Sequence, residues 1–192
     1  MTLADRVLDA TYAEVAERGL AGLTVEAVAQ RAGSSRATLY RQFPGGREEL
    51  VERTIRREVA RFFETVLGQI PPAPPQGPLE DHVTGLVQAA HRELQAHDVL
   101  QRLLLDEADA IVPTLATVQP LVGGRVVAHL RRALEGARNA GQIPTTVDVP
   151  AAAEHVGRLV LSYVGSPGRW DLADPGEAGR LVRTSILAGL VT

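Results

Sequence analysis

Apolar residues return every third or fourth position along most of this chain, the signature of helices with one buried face. Val7, Leu8, Thr11, Tyr12 and Val15 predict a helix over residues 3–18, ended by Gly19 and Gly22. Thr24 suits the cap of a short second helix whose inner side is Val25, Val28 and Ala29. Gly33 stops that helix, because glycine reaches a positive φ without a Cβ penalty. Ser34 and Ser35 then cap a third helix reaching Phe43, and Pro44-Gly45-Gly46 makes a turn. From Arg47 a longer pattern runs through Leu50, Val51, Ile55, Val59, Phe62, Phe63 and Val66 to Gly68. The run PPAPPQGP at 71–78 suits neither helix nor central strand. Further helices are predicted over 79–96, 98–110, 114–140, 149–165 and 175–190, the last opened by a capping box from Asp174 to Glu177. Neither an alternating strand of useful length nor an internal repeat is visible. The expectation is an all-α fold of about nine helices, organised as residues 1–46 and residues 47–192.

The first three helices are where chemistry enters. Two short helices joined by a tight turn, behind a longer one, make a helix-turn-helix arrangement. Ala29 is small where the two short helices cross, Gly33 turns the chain, and Leu39 faces back into the three-helix core. The outer face of 35–42 is then free for DNA. Arg36 and Ala37 lie in the first turn of the helix that would enter the major groove, where an arginine can engage both acceptors of a guanine. Thr38 and Tyr40 offer hydroxyls to phosphate oxygens, Gln42 suits an adenine edge, and Arg41 suits a phosphate or a base. Thr24, Ser35 and Arg47 stand at helix starts, where free N–H groups favour phosphate. The plainer reading of the same residues is a solvated, packed helix face, since arginines also snorkel or pair.

Charge changes this picture by its distribution, not its total. The net charge of −3 on 192 residues suggests no nucleic-acid partner. Between Ala27 and Arg47, however, stand Arg31, Arg36, Arg41 and Arg47 with no acid among them, while Asp5, Asp9, Glu14 and Glu17 precede the window and Glu48 and Glu49 follow it. That is a local cationic face on a near-neutral body. The absence of cysteine excludes disulfides, thiolate metal sites and a cysteine nucleophile, and is compatible with a reducing cytoplasm. The N-terminus has no basic start followed by an apolar core, so no signal peptide is expected. No uncharged run, Ala110 to Gly124 included, is long enough to span a bilayer.

The stretch LTVEAVAQRAGSSRATLYRQFPGGREELV, residues 23–51, with VLDATYAEVAERGLAG before it, resembles the DNA-binding region of TetR-family transcriptional regulators. Thr24, Ala29, Gly33, Ser35, Thr38, Leu39, Tyr40, Phe43 and Pro44 fall where that pattern wants them, over about a quarter of the chain. Two departures are visible. Ser34 stands where a small apolar residue is usual, so its hydroxyl is expected to bond nearby backbone, and the turn Pro44 to Arg47 is one residue longer than the common form. The resemblance implies a homodimer that binds a palindromic operator, acts most often as a repressor, and is released by a small molecule.

The remaining chain is read from its own residues. Phe62, Phe63, Leu86, His91, Leu103, Leu104 and His155 are candidates to line an effector pocket, expected to be largely apolar. Ala152, Val156, Leu159, Val160 and Tyr163 form one stripe, and Leu181, Val182, Ser185, Ile186 and Leu190 form another; both suit a four-helix dimer interface or the protomer's own core. Trp170 is expected to anchor its Gly-Pro loop. His82, His91, His97, His129 and His155 show no metal-ligand spacing, and no nucleophile elbow, phosphate loop or dinucleotide fingerprint occurs. No cofactor, metal or catalytic residue is therefore expected. The reading is a ligand-responsive DNA-binding regulator of the cytoplasm; the alternative is a helical small-molecule-binding protein without DNA binding.

Overall fold

The computed structural model describes residues 1–190. Among them are nine α-helices, a closing π-helical segment and no strand: α1 (Leu3–Arg18), α2 (Val25–Arg31), α3 (Arg36–Gln42), α4 (Gly46–Gly68), α5 (Leu79–Gln95), α6 (Asp98–Asp106), α7 (Ala108–Asn139), α8 (Val149–Gly165), α9 (Pro175–Leu181) and the π-segment Val182–Ile186. The all-α expectation holds. The chain divides into two compact units, residues 1–61 with 97–119, and residues 62–96 with those from Pro120 onward.

Helix starts follow the caps that the sequence offers. The side chains of Thr2, Thr24, Ser35, Asp148 and Asp174 each accept a first-turn backbone N–H. One detail differs from expectation: Glu177 does not reach back to the cap residue, its carboxylate instead accepting from Asp171 N at 2.9 Å. α2 closes with a Schellman turn, Ser34 N–H donating to Ala29 O and Gly33 N–H to Gln30 O around Gly33 at φ 62°. A Cβ at Gly33 would touch nothing within 4 Å, so its backbone conformation alone demands glycine.

Two C-terminal boundaries depart from the periodicity. α6 stops at Asp106 and α7 begins at Ala108, six residues ahead of the predicted start behind Pro113. The early turn is held by Ile111, 2% exposed, whose burial offsets the one backbone bond that the proline forfeits. The last predicted helix ends as a π-segment, with Leu187 N–H donating to Val182 O at 2.7 Å. The wider turn lets both Ile186 and Leu187 face inward, each at most 1% exposed.

The first unit is built around one apolar cluster. α1 contributes Val7, Ala10 and Val15; α2 contributes Val25, Val28 and Ala29; Leu39, Phe43 and Leu50 follow, with Leu103 and Ile111 from the later segment. Each fully buried Leu or Phe contributes roughly 1.5–3 kcal/mol. The second unit centres on α5, which packs against α8, α9 and the π-segment. The loop 71–78 lies against α7, where a Cβ on Gly136 would come within 2.2 Å of Pro74 Cβ. The loop holding Trp170 is anchored differently from expectation: Leu172 is the buried residue, at 1% exposure, while Trp170 stays half-buried against the Arg169 guanidinium, 4.9 Å from the ring centre.

Two of the histidines meet inside this second unit. His82 of α5 and His129 of α7 are both 5% exposed, stacked at 14°, with their Nε2 atoms 2.9 Å apart, so one ring donates and the other accepts. Burial holds both below the ordinary imidazole range, His129 at about 4, with the charges of His82 and Arg132 adding to the effect. The unfolded chain takes up protons near pH 6.5, and the folded chain refuses them until about pH 4. This stabilisation is therefore complete above pH 6.5 and is lost as the pH falls through that window, by about 3 kcal/mol. Urea denaturation between neutral and acid pH checks this; His129→Gln should flatten the profile, and an equally steep decline in that variant would contradict it.

Candidate nucleic-acid interface

α3 has one inner and one outer side. Leu39 and Phe43 are 1% and 0% exposed and fix the helix on the core, while Arg36, Ala37, Tyr40, Arg41 and Gln42 are exposed and Thr38 is half-buried. The predicted reading residues are thus brought onto one solvent-facing helix. Tyr40, 42% exposed, lies over the start of α4, where a Cβ on Gly46 would sit 3.0 Å from its ring. Gly46 also takes a φ of 58° in the turn after Pro44, so both its backbone and the ring above it favour glycine.

The helix-start residues are spent partly on the fold. Thr24 Oγ1 accepts from Ala27 N, and Ser35 Oγ accepts from Thr38 N while donating to Thr38 Oγ1 at 3.0 Å. Arg47 is exposed, yet its Nε donates to Leu23 O and its Nη2 to Leu20 O. At the start of α4, Gly45 N–H is already taken by Glu49 Oε2 at 2.9 Å, and Glu48 adds a second carboxylate to that first turn. Ser34 uses its backbone N–H, not its hydroxyl, to reach Ala29 O.

The cationic face is thinner than the arginine run suggests. Arg31 lies on α2, where Nε meets Glu14 at 2.7 Å and the other edge binds both oxygens of Glu17. These hydrogen bonds, Glu17 first and then Glu14, push its pKa further upward. Glu14 is itself 2% exposed, and Arg18 approaches it at 3.3 Å. Arg36 pairs with Glu26 at 2.7 Å, both side chains more than half exposed. Among the described residues, Arg41 is the one arginine of the four with no ion-pair or hydrogen-bond partner. Sequence spacing hides this, because Glu14, Glu17 and Glu26 all precede the acid-free stretch from Ala27 to Arg47.

A residue that no local pattern marked completes the unit. Glu107, between α6 and α7, accepts from Leu20 N with Oε1 at 2.9 Å and from Ala21 N with Oε2 at 2.7 Å. Gly19, at φ 75°, leaves room for it; a Cβ there would stand 2.0 Å from Oε1. Arg102 donates to Val15 O at 2.9 Å. The turn between α1 and α2 is thus held by side chains more than eighty positions away in sequence.

The effector and dimer candidates separate. Phe63 and Leu86 are buried and Phe62 and His91 half-buried, all in the second unit, with the two phenylalanine rings edge-on at 5.5 Å. Leu103 belongs to the apolar cluster of the first unit, apart from these four. Leu104, 37% exposed, lies on the surface of that same unit. His155 is exposed on α8 and faces solvent rather than an enclosed pocket. Ala152, Val156, Val160, Leu181, Val182 and Ile186 are buried within the single chain, so these six pack its own core. Their small neighbours serve close packing onto α7, a Cβ on Gly157 lying 3.1 Å from Val127 Cγ2. Leu159, Tyr163, Ser185 and Leu190 remain half-exposed.

A three-helix unit with an exposed second short helix defines a helix-turn-helix regulator, and comparison with known proteins agrees. Residues 7–54 match the family of bacterial regulatory proteins, tetR family. An uncharacterised HTH-type transcriptional regulator of Mycobacterium tuberculosis is 31% identical, covering 89% of this chain and 78% of its own length. The chain belongs to the TetR family of transcriptional regulators. Its fold is shared with a TetR-family regulator of Mesorhizobium loti (TM-score 0.70, 19% identity, 99% of this chain and 97% of that one). The repressor QsdR of R. erythropolis is also similar (TM-score 0.63, 20% identity, 99% and 96%). So is SmeT in complex with triclosan (TM-score 0.61, 23% identity, 100% and 93%). SmeT is described as the repressor of the Stenotrophomonas maltophilia multidrug efflux pump SmeDEF. These likenesses point to a regulator family and not to an enzyme family. No described helix is long and apolar enough to cross a membrane.

Proposed function

We propose that this protein is a cytoplasmic repressor that binds a near-palindromic operator as a homodimer and is released by a small molecule. The observation that carries the reading is the exposed face of α3, set on the buried pair Leu39 and Phe43 inside the segment that matches the family. On that face Arg36 reads a guanine, Gln42 an adenine edge, Ala37 packs against a base, and Arg41, Thr38 and Tyr40 meet phosphates. Thr24 keeps a hydroxyl hydrogen that can turn to phosphate, Ser35 frees its own by releasing Thr38 Oγ1, and Arg47 keeps Nη1 for the same purpose. Residues 1–46 act as the DNA-binding domain and residues 47–192 as the ligand-binding and dimerisation domain. The half-exposed stripe of Leu159 and Tyr163 on α8, with Ser185 and Leu190, supplies the dimer face. Phe62, Phe63, Leu86 and His91 supply an effector site of mainly apolar lining, in keeping with the triclosan complex of SmeT.

Selection of genomic fragments by the purified protein tests this. The bound fragments should share an inverted repeat with half-site centres about 34–36 Å apart, one turn of DNA. A bound set with no common sequence, or with a single unrepeated half-site, would count against a dimeric operator-binding repressor.

A further inference from the structure

We propose that Glu26 determines operator specificity by positioning Arg36. The inference rests on the reading of Arg36 as the guanine contact. Arg36 is the first residue of α3 and Glu26 the second of α2, and the Arg36 Nη1 to Glu26 Oε1 distance of 2.7 Å joins the two helix starts. Their side chains are 60% and 54% exposed, so the pair does little for folding, as surface ion pairs generally do. Its effect falls instead on a long, rotamer-rich side chain that protrudes from the recognition helix. A guanidinium has five N–H donors in a fixed fork. Glu26 contacts one nitrogen, and the Nε and Nη2 edge remains for guanine O6 and N7.

The surrounding charges make this pairing exclusive. Arg31, on the same helix as Glu26, is committed to Glu14 and Glu17. Arg53 takes Glu49. Glu26 is the one acid of α2, and Arg36 its one partner among the described residues. A carboxylate at this edge also repels every phosphate that approaches it. That repulsion weakens binding to all DNA alike, and a held arginine restores the loss where a guanine meets it. The pair thus widens the gap between operator and bulk DNA instead of raising affinity as such.

Binding-site selection from random duplexes, run on the wild type and on Glu26→Gln, Glu26→Ala and Arg36→Ala, separates the possibilities. Thermal midpoints taken alongside confirm that each variant folds. Both Glu26 variants should bind unrelated duplex about two- to fivefold more tightly, from the lost repulsion. They should also lose about fivefold or more of the preference for guanine at one operator position. Arg36→Ala should lose preference at that same position. Tighter binding of all duplexes with the guanine preference intact would overturn the proposal, leaving Glu26 a repulsive charge only; so would unchanged binding. If Arg36→Ala altered preference nowhere, the base-reading role of Arg36 would fall, and the proposal with it.

Discussion

Replacing Glu107 by alanine should destabilise the N-terminal unit by about 2–4 kcal/mol. The carboxylate makes two charge-assisted bonds to consecutive backbone N–H groups, each worth about 1.5–3 kcal/mol. Water can replace the bond at the exposed Ala21, but less readily at Leu20, whose side chain is 4% exposed in the apolar cluster. The turn that loosens carries Leu20 and Leu23 into that cluster and sets the start of α2, so operator binding should weaken with the fold. Gly19→Ala should act from the other side, since its Cβ would displace Oε1 and its φ of 75° disfavours any side chain. Urea denaturation of both single variants and the double is the check. Because both remove the same contact, their effects should sum to less than additive. An unchanged midpoint in Glu107→Ala would show that the clamp contributes nothing.

Arg36→Ala should cost about 1–3 kcal/mol of discrimination at one base pair, roughly five- to 150-fold, with little change in stability. Arg31→Ala should do the reverse. Arg31 lies behind the reading face, bound to the buried Glu14 and to Glu17, so its loss leaves a buried carboxylate without its main partner. Its thermal midpoint should fall, and DNA affinity should follow the folded fraction with base preference intact. Melting curves and competition binding on single-base operator variants distinguish the two. If Arg31→Ala changed base preference, the division between reading and supporting arginines would be wrong.

The contrast between these two arginines shows what was legible in the sequence. Local rules were readable: the caps at Thr24 and Ser35, the left-handed turn at Gly33, and the inward Leu39 need only neighbouring residues, and the structure has each of them. Partnerships across the fold were not. Arg31 and Arg36 look alike in a charge count, and only the packing of α1 on α2 decides that Arg31 is held by the buried Glu14 while Arg36 has an exposed partner. Glu107 sits 86 positions from Ala21 and carries no motif. His82 and His129, 47 residues apart, read as scattered until α5 and α7 bring them face to face. The apolar stripes of α8 and of residues 181–190 suit a dimer face or the protomer's own core by periodicity, and burial in the single chain assigns six of their ten candidates to the core.

The central claim, sequence-specific DNA binding through α3, is tested most directly by titrating the protein on a selected genomic duplex and on an unrelated one, from about 50 to about 200 mM salt. Binding should be at least about a thousandfold tighter to the selected duplex. The salt slope should be shallow, no steeper than about −4, since two copies of Arg41 and Arg47 neutralise about four phosphates. Equal affinity for both duplexes across the series would contradict it.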